Sequence, residues 1–294
     1  MNDEPDTMSF VDNNVNSSVD THGLEDALKK RVQEDESAHS SNDRGSDSLW
    51  DHLQRVALIA EKIGSKEGAN PIACRLAGLF HDAGKFRGGS YHKDNRPEEE
   101  YSVDALMELA ENESVPENLL QEVADSIRQL YREDPEPTLL TRVLFDADNL
   151  DKLGPLGVAN FFIKSGLRGN GMSEDLLYRL TVELTYARHA PHCMATNTGR
   201  RWASKRAPES YRFLVSLLHT LNDDNIYDFK IEKVDYDNLI LDVVSPAVCS
   251  CSGTLQRKIW KVPGIKCTEI HLEHTCSKCD KTHKMRFCSP RLLI

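Results

Sequence analysis

The pair His81-Asp82, inside LAGLFHDAGKF, sets an imidazole beside a carboxylate. A second imidazole, His52, lies upstream in LWDHLQRVALIAEKIG, and three carboxylates, Asp146, Asp148 and Asp151, lie downstream in LFDADNLDKLG. Imidazoles and carboxylates together make a mixed nitrogen and oxygen donor set, suited to a divalent ion of intermediate hardness. With a coordination position left open, such a set supports hydrolysis by metal-activated water.

These residues must be carried to one place by helices. Leu53, Val56, Ala57, Ala60 and Ile63 recur with the spacing of a helix face that packs into a core, and His52 and Arg55 lie on an adjoining face, one turn apart. A second helix is expected to start where Pro71 follows Asn70 and to carry His81 and Asp82 near its C-terminal end. Successive side chains on a helix diverge by roughly 100°, so both can reach one ion only from a cleft between helices, as in bundle metal sites. A third helix over TLLTRVLFDADNLDKLGP should end at Gly154-Pro155. Two-residue spacing turns a side chain away, so its three aspartates cannot all be ligands.

The series His52, His81-Asp82 and Asp148 resembles the HD-domain phosphohydrolase superfamily, whose closing aspartate sits in an Ala-Asp-x-Leu context, here Ala147-Asp148-Asn149-Leu150. The resemblance selects Asp148 as the ligand and leaves Asp151, one turn away, behind the ligands or on the substrate side. DADNLDKLGPLGVANFF (146–162) and MATNTGRRWASKRAPESYRFLVSLL (194–218) are similar to the small bacterial and archaeal members that act on nucleotide phosphates, including nucleoside triphosphate pyrophosphohydrolases. Members with two metals, and the oxygenases, add two histidines between the His-Asp pair and the last aspartate. Here that interval holds only His92, so one divalent ion is implied: Mn²⁺, Mg²⁺, Co²⁺, Ni²⁺ or Fe²⁺.

Arg55 and Lys85 are the first candidates for phosphate contact, since each adjoins a metal ligand in sequence, and cationic groups offset charge in a phosphoryl transition state. Asp151 is a candidate to orient or deprotonate water. In the cluster Arg200, Arg201, Lys205 and Arg206, the family-like segment points to Lys205 and Arg206 as substrate-facing. His189, His192 and Cys193, in YARHAPHC, are read as a structural loop broken by Pro191.

The 294 residues allow one substantial core and a small accessory module. No apolar run of about 18 residues and no basic-then-apolar leader is present, so neither membrane insertion nor secretion is indicated, and a cytoplasmic protein is expected. The net charge of −11 is unevenly spread. Residues 1–48 hold 12 acidic and 4 basic side chains and read as a disordered leader, with a short helix around LEDALKKRVQ. Residues 249–294 hold 9 basic and 3 acidic side chains.

The reading is therefore a mainly α protein, a helical HD bundle over 49–222, followed by a β-rich, zinc-ribbon-like module over 223–294. YDFKIEKVDYDNLILDVVSP reads as two strands around a turn, and IKCTEIHLEHTCSKCDKTHKMRFC as a hairpin tipped by CxxC. Cys249, Cys251, Cys276 and Cys279 form two half-sites for a structural Zn²⁺, with Cys267, Cys288, His271, His274 and His283 as alternative ligands. The zinc is expected to act independently of catalysis. The substrate is expected to be a nucleotide or another small phosphorylated molecule. The alternative is a nucleic-acid-associated nuclease or binding protein that uses the basic tail.

Overall fold

The computed structural model describes residues 20–39, 48–89, 96–132, 136–167, 169–263 and 268–288. The chain opens with α1 (His22–His39), α2 (Ser48–Glu67) and α3 (Pro71–Phe80). The apolar stripe of α2 is buried as its spacing predicts, with Leu53, Val56, Ala57, Ala60 and Ile63 fully enclosed. The Asn70 side chain accepts from the Ile72 and Ala73 amides, and Pro71 occupies the first turn, as expected for α3. This helix ends one residue before His81, and turns run from His81 to Phe86. The His-Asp pair thus sits at a helix exit, where the two side chains can turn toward the same cleft.

The contact between α2 and α3 depends on Gly78. A β-carbon there would lie 2.5 Å from the Ala57 α-carbon, inside any allowed contact. Glycine at this position lets the two helices carrying His52 and His81 cross at backbone distance.

The bundle continues with α4 (Glu98–Ala110), α5 (Glu117–Gln129) and α6 (Leu139–Asp151). Helix α6 runs through the centre, with every residue from Val143 to Asp151 buried. Gly154, at φ +80°, lets the chain turn into α7 (Gly154–Leu167). Two long helices follow, α8 (Glu174–Cys193) and α9 (Asn197–Asp223). The expected break at Pro191 does not occur. It falls in the last turn of α8, where few downstream residues remain for its missing amide to disrupt.

Two antiparallel sheets complete the chain. In the first, β1 (Phe229–Tyr236) pairs with β2 (Leu239–Pro246) through Asp237 and Asn238, both at positive φ. Such residues suit the two-residue hairpin turn. In the second, β3 (Leu255–Pro263), β4 (Thr268–Cys276) and β5 (Thr282–Cys288) pair in chain order, with the CxxC at the β4–β5 tip.

Two expectations about organisation change. Within the stretch assigned to a disordered leader, α1 packs its buried Leu24, Leu28 and Val32 into the main core, and Glu25 grips Arg75 of α3 through two bonds of 2.7 Å. The acidic residues on either side of α1 lie outside the described residues, apart from Asp20 and those within the helix. The expected boundary near 223 is crossed by shared cores. Val158, Leu177, Leu180, Leu184, Leu214, Leu218 and Leu221 of the helices cluster with Phe229 and Val244 of the strands. Tyr178 clusters with Leu239, Leu241 and Val243 of β2 and with Ile270, Leu272 and Met285 of the second sheet.

Candidate metal centre

His52 on α2, His81 at the exit of α3 and Asp148 on α6 each bring one donor atom into a single cluster, all within 4.8 Å of one another. Asp148 Oδ1 lies 3.5 Å from His52 Nε2 and 3.8 Å from His81 Nε2. Asp82 closes the open side, with carboxylate oxygens 3.9 Å from each Nε2. These separations exceed hydrogen bonds and approach those of donors placed about 2.1 Å from one shared ion.

The hydrogen bonds behind the cluster prepare it for a cation. His81 Nδ1 is 2.8 Å from the Gly78 carbonyl, so it is the donor there and Nε2 presents a lone pair. That Nε2 is buried and has no hydrogen-bond partner among the described residues. A buried acceptor left this way is costly unless a ligand takes it. His52 Nδ1 is likewise engaged, 2.8 Å from Asp151 Oδ2, which turns its Nε2 toward Asp148. Burial lowers the pKa of His52, with Asp151 partly offsetting it, so the imidazole stays neutral and able to ligate. The residues therefore fit a divalent ion held by His52, His81, Asp82 and Asp148.

Asp151 is committed to support. Its Oδ1 accepts from Arg55 Nε at 2.7 Å, and its Oδ2 accepts from Arg55 Nη2 at 3.1 Å as well as facing His52. Burial would raise its pKa, but His52 and Arg55 outweigh burial and hold it at about 2. Both oxygens are turned to His52 and Arg55, the place behind the ligands that the sequence left open beside a water-activating one. Arg55 is bound into the same support. Asp151→Asn should keep the fold and weaken ion binding about 10- to 100-fold, read by titrating apoprotein with Mn²⁺. Unchanged affinity would remove Asp151 from this role.

Asp148 divides its oxygens between two tasks. Oδ1 faces the imidazoles, while Oδ2 accepts from the Tyr131 hydroxyl and, at 2.8 Å, from Lys152 Nζ. Burial alone would raise its pKa, but Lys152 outweighs burial and holds the carboxyl well below the usual range. Lys85 does the same for Asp82, with Nζ 2.8 Å from Oδ2. Lys152 was readable in sequence as the residue one turn beyond Asp148. Tyr131 was not, because it reaches the site from a left-handed residue (φ 64°) after α5.

Asp146 resolves the choice among the three aspartates. It accepts from the Ala195 and Thr196 amides and the Thr196 hydroxyl at 2.6 to 2.8 Å, fixing the start of α9. Arg206 donates to the Leu150 carbonyl at 2.9 Å, near Asp151, whereas Lys205 is exposed and no hydrogen bond or ion pair ties it to the cluster. His92 lies outside the described residues.

Two further side chains near the cluster carry no motif. Lys164 on α7 has its pKa lowered by burial and then by Lys85 and Lys152, and makes no hydrogen bond or ion pair with a described residue. Glu183 on α8 lines a hollow with Lys152, Phe161, Ser210 and Leu214. Burial pushes its carboxyl up to about 7, against the pull of Lys152, Arg179 and Lys164. A carboxyl raised from 4.5 keeps a proton that the unfolded chain has lost, so its effect is to reduce stability as pH rises from about 4.5 through 7. Glu183→Gln should therefore stabilise the protein at pH 8 but not at pH 4, by at most about 3 kcal/mol. Thermal melts at the two pH values check this, and an equal gain at both would refute it.

In the tail, Cys249, Cys251, Cys276 and Cys279 bring their sulfurs within 4.8 Å of one another. The pairs Cys249–Cys279 and Cys251–Cys276 stand 3.5 and 3.4 Å apart and are not bonded. Lys278 N donates to Cys276 Sγ at 3.4 Å. This is a tetrahedral-type thiolate set. Cys267 lies outside the described residues and Cys288 closes β5. His274 and His283 face Tyr178 of α8 instead of the thiols, and His271 pairs with Glu269.

A helical bundle presenting this donor set can hold a divalent ion of the kind that activates water for hydrolysis. Residues 49–153, spanning α2 to α6, match the HD domain family. Over 184 residues it is 25% identical to the uncharacterized protein YpgQ of Bacillus subtilis (strain 168), which covers 62% of this chain and 86% of the relative. Among solved structures, that of Bacillus subtilis YpgQ in complex with ADP matches at 24% identity with TM-score 0.47, over 68% of this chain and 94% of that one. An HD-superfamily hydrolase from Bacillus thuringiensis matches at 22% identity with TM-score 0.46, over 67% and 97%. Among the described residues no helix is long and apolar enough to cross a membrane.

Proposed function

We propose that the chain hydrolyses a phosphoanhydride or phosphate ester bond in a nucleotide. The observation that carries this reading is the donor cluster with three lysines beside it. Lys85 and Lys152 are each held by a ligand carboxylate, and Lys164 is close enough to both to feel their charge, yet has no hydrogen-bond or ion-pair partner among the described residues. An ion held by His52, His81, Asp82 and Asp148 would supply Lewis acidity and activate water. Lys85, Lys152 and Lys164 would bind and orient the phosphoryl oxygens and offset their charge. Tyr131 and Lys152 keep Asp148 ionised and directed at the imidazoles. Asp151 fixes the His52 tautomer. The nucleotide part of the proposal rests on the likeness of residues 146–162 and 194–218 to nucleotide-acting members.

We assign one transition ion to this cluster, with Mn²⁺ as the first to test, and zinc to the four cysteines, since thiolates favour Zn²⁺ over harder ions. Unbonded thiols suit a reducing compartment, and the cytoplasm is proposed. A small substrate is favoured over nucleic acid by the state of the tail's cations. Arg257 pairs with Glu232, Lys261 with Asp237, Lys281 with Glu174, Lys284 with Glu273 and Arg286 with Glu269. Little unpaired charge remains among the described residues of that sheet to hold a phosphate backbone.

The test is a screen of the full-length protein, with Mn²⁺, Mg²⁺ or Co²⁺, against nucleoside mono-, di- and triphosphates and labelled single-stranded RNA and DNA. Metal-dependent turnover of a nucleotide is expected. Cleavage of the strands with no nucleotide turnover would replace this reading with a nuclease.

A further inference from the structure

Helix α8 has two working flanks, and the tail occupies one of them. Along that flank Thr181 Oγ1 accepts from the Val244 amide at 2.9 Å, and Thr185 Oγ1 accepts from the Asp242 amide at 3.0 Å. Arg188 grips the fully buried Asp242 through bonds of 2.5 and 2.7 Å. The first two turns of α8 meet the second sheet: the Tyr178 hydroxyl is 2.8 Å from His274 Nδ1 and 3.4 Å from the His283 carbonyl, and Glu174 accepts from Lys281 at 2.7 Å. The other flank faces the metal centre. Glu183 shares its hollow with Lys152, and the Tyr186 hydroxyl donates to the Asn149 carbonyl and side-chain oxygen at 2.9 and 3.0 Å, next to Asp148.

The four cysteines join the parts that meet α8. Cys249 and Cys251 lie in the turn that leaves β2, and Cys276 and Cys279 at the β4–β5 tip. Cys276 lies two residues from His274 on one strand, so the two side chains share a face, and the path from thiol cluster to Tyr178 is one strand step long. A sheet this small buries too little apolar surface to hold its own position. An ion closing the cluster would therefore supply much of what keeps the second sheet, β2 and α8 in register.

We propose that the four-cysteine site is a positioning element for the hydrolytic centre: its ion fixes the tail against α8, and α8 in turn holds Glu183 and Tyr186 in place beside Lys152 and Asn149. The inference rests on the assignment of zinc to the cysteines. It replaces the expectation that zinc and catalysis are independent.

The experiment uses full-length Cys276→Ser/Cys279→Ser and, separately, Tyr178→Phe, which leaves every thiol in place. Zinc content, amide exchange across residues 174–193 and Mn²⁺-supported hydrolysis of ATP are measured on each. The cysteine variant should lose one zinc per chain, exchange about tenfold faster through α8 and show a KM for ATP raised severalfold, with kcat within about twofold. Tyr178→Phe should keep its zinc and accelerate exchange in the same helix by about fivefold, the equivalent of one buried hydrogen bond. Zinc loss with unchanged exchange in α8 would overturn the proposal, as would unchanged exchange in a zinc-replete Tyr178→Phe protein if the cysteine variant does not fold. Retained zinc in the cysteine variant would overturn the zinc assignment and the proposal with it. Failure of the wild type to hydrolyse ATP would count against the nucleotide reading alone, since zinc and exchange still decide the link to α8.

Discussion

His81→Ala is expected to abolish turnover, by about a thousandfold or more, while leaving the helical fold in place. The substitution removes one nitrogen donor and with it the geometry that generates the nucleophile. The imidazole it deletes has no other task at Nε2, which is buried and without a hydrogen-bond partner among the described residues, so the folded chain loses the Nδ1 bond to Gly78 and the edge contact with the His52 ring. Three donors would remain, and residual ion binding should be weak. Elemental analysis after gel filtration, circular dichroism and phosphate release at saturating Mn²⁺ check the three parts. Full activity in this variant, or in protein stripped of its ions, would end the account of a metal-dependent centre at His52, His81, Asp82 and Asp148.

The second large effect is on stability. A chain ending at residue 224, just beyond α9, should fail to accumulate as a folded monomer. Its removal of the strands strips cover from Leu177, Leu180, Leu184, Leu214 and Leu218, which cluster with Phe229 and Val244, and from Tyr178. Each such side chain gains about 1.5–3 kcal/mol from full burial, and losing part of that at six positions rivals the 5–15 kcal/mol that holds a typical domain folded. Arg188 and the Thr181 and Thr185 hydroxyls would lose their strand partners as well. Soluble yield, thermal melting and light scattering decide the matter. A monomeric truncated protein melting at the full-length temperature would show that the bundle stands alone.

What could be read in the sequence follows from range. His52, His81, Asp82 and Asp148 were legible because helical spacing and short local contexts announce them, and the hairpin turn at Asp237-Asn238 and the CxxC tip are equally local. Resemblance was needed to choose Asp148 from three aspartates; the structure supplies the reason, since Asp146 is spent on the α9 start and Asp151 on His52. Asp151 was left open between a place behind the ligands and the substrate side, and Arg55 was read as a phosphate contact, because nearness in sequence carries no direction; their mutual bonds and the bond to His52 put both beside that ligand. Tyr131, Lys164 and Glu183 reach the centre from three separate helices or their ends, and no periodic pattern marks such convergence. At the chain's acidic start a short helix was expected around LEDALKKRVQ and α1 contains it, but its docking was not legible. Composition averages over 48 residues and hides the three apolar side chains of α1 that dock it.

Gly78 ties the ion's surroundings to the packing of the bundle. Its missing side chain allows α2 and α3 to touch, and its carbonyl receives His81 Nδ1. The distance between the two imidazoles is thus fixed by how closely a pair of helices can approach, and the ligands themselves have little freedom to adapt. Discrimination among ions of similar chemistry would then be a matter of aperture. A methyl group at this one position, which would ligate nothing itself, would widen the aperture and should shift preference toward larger cations.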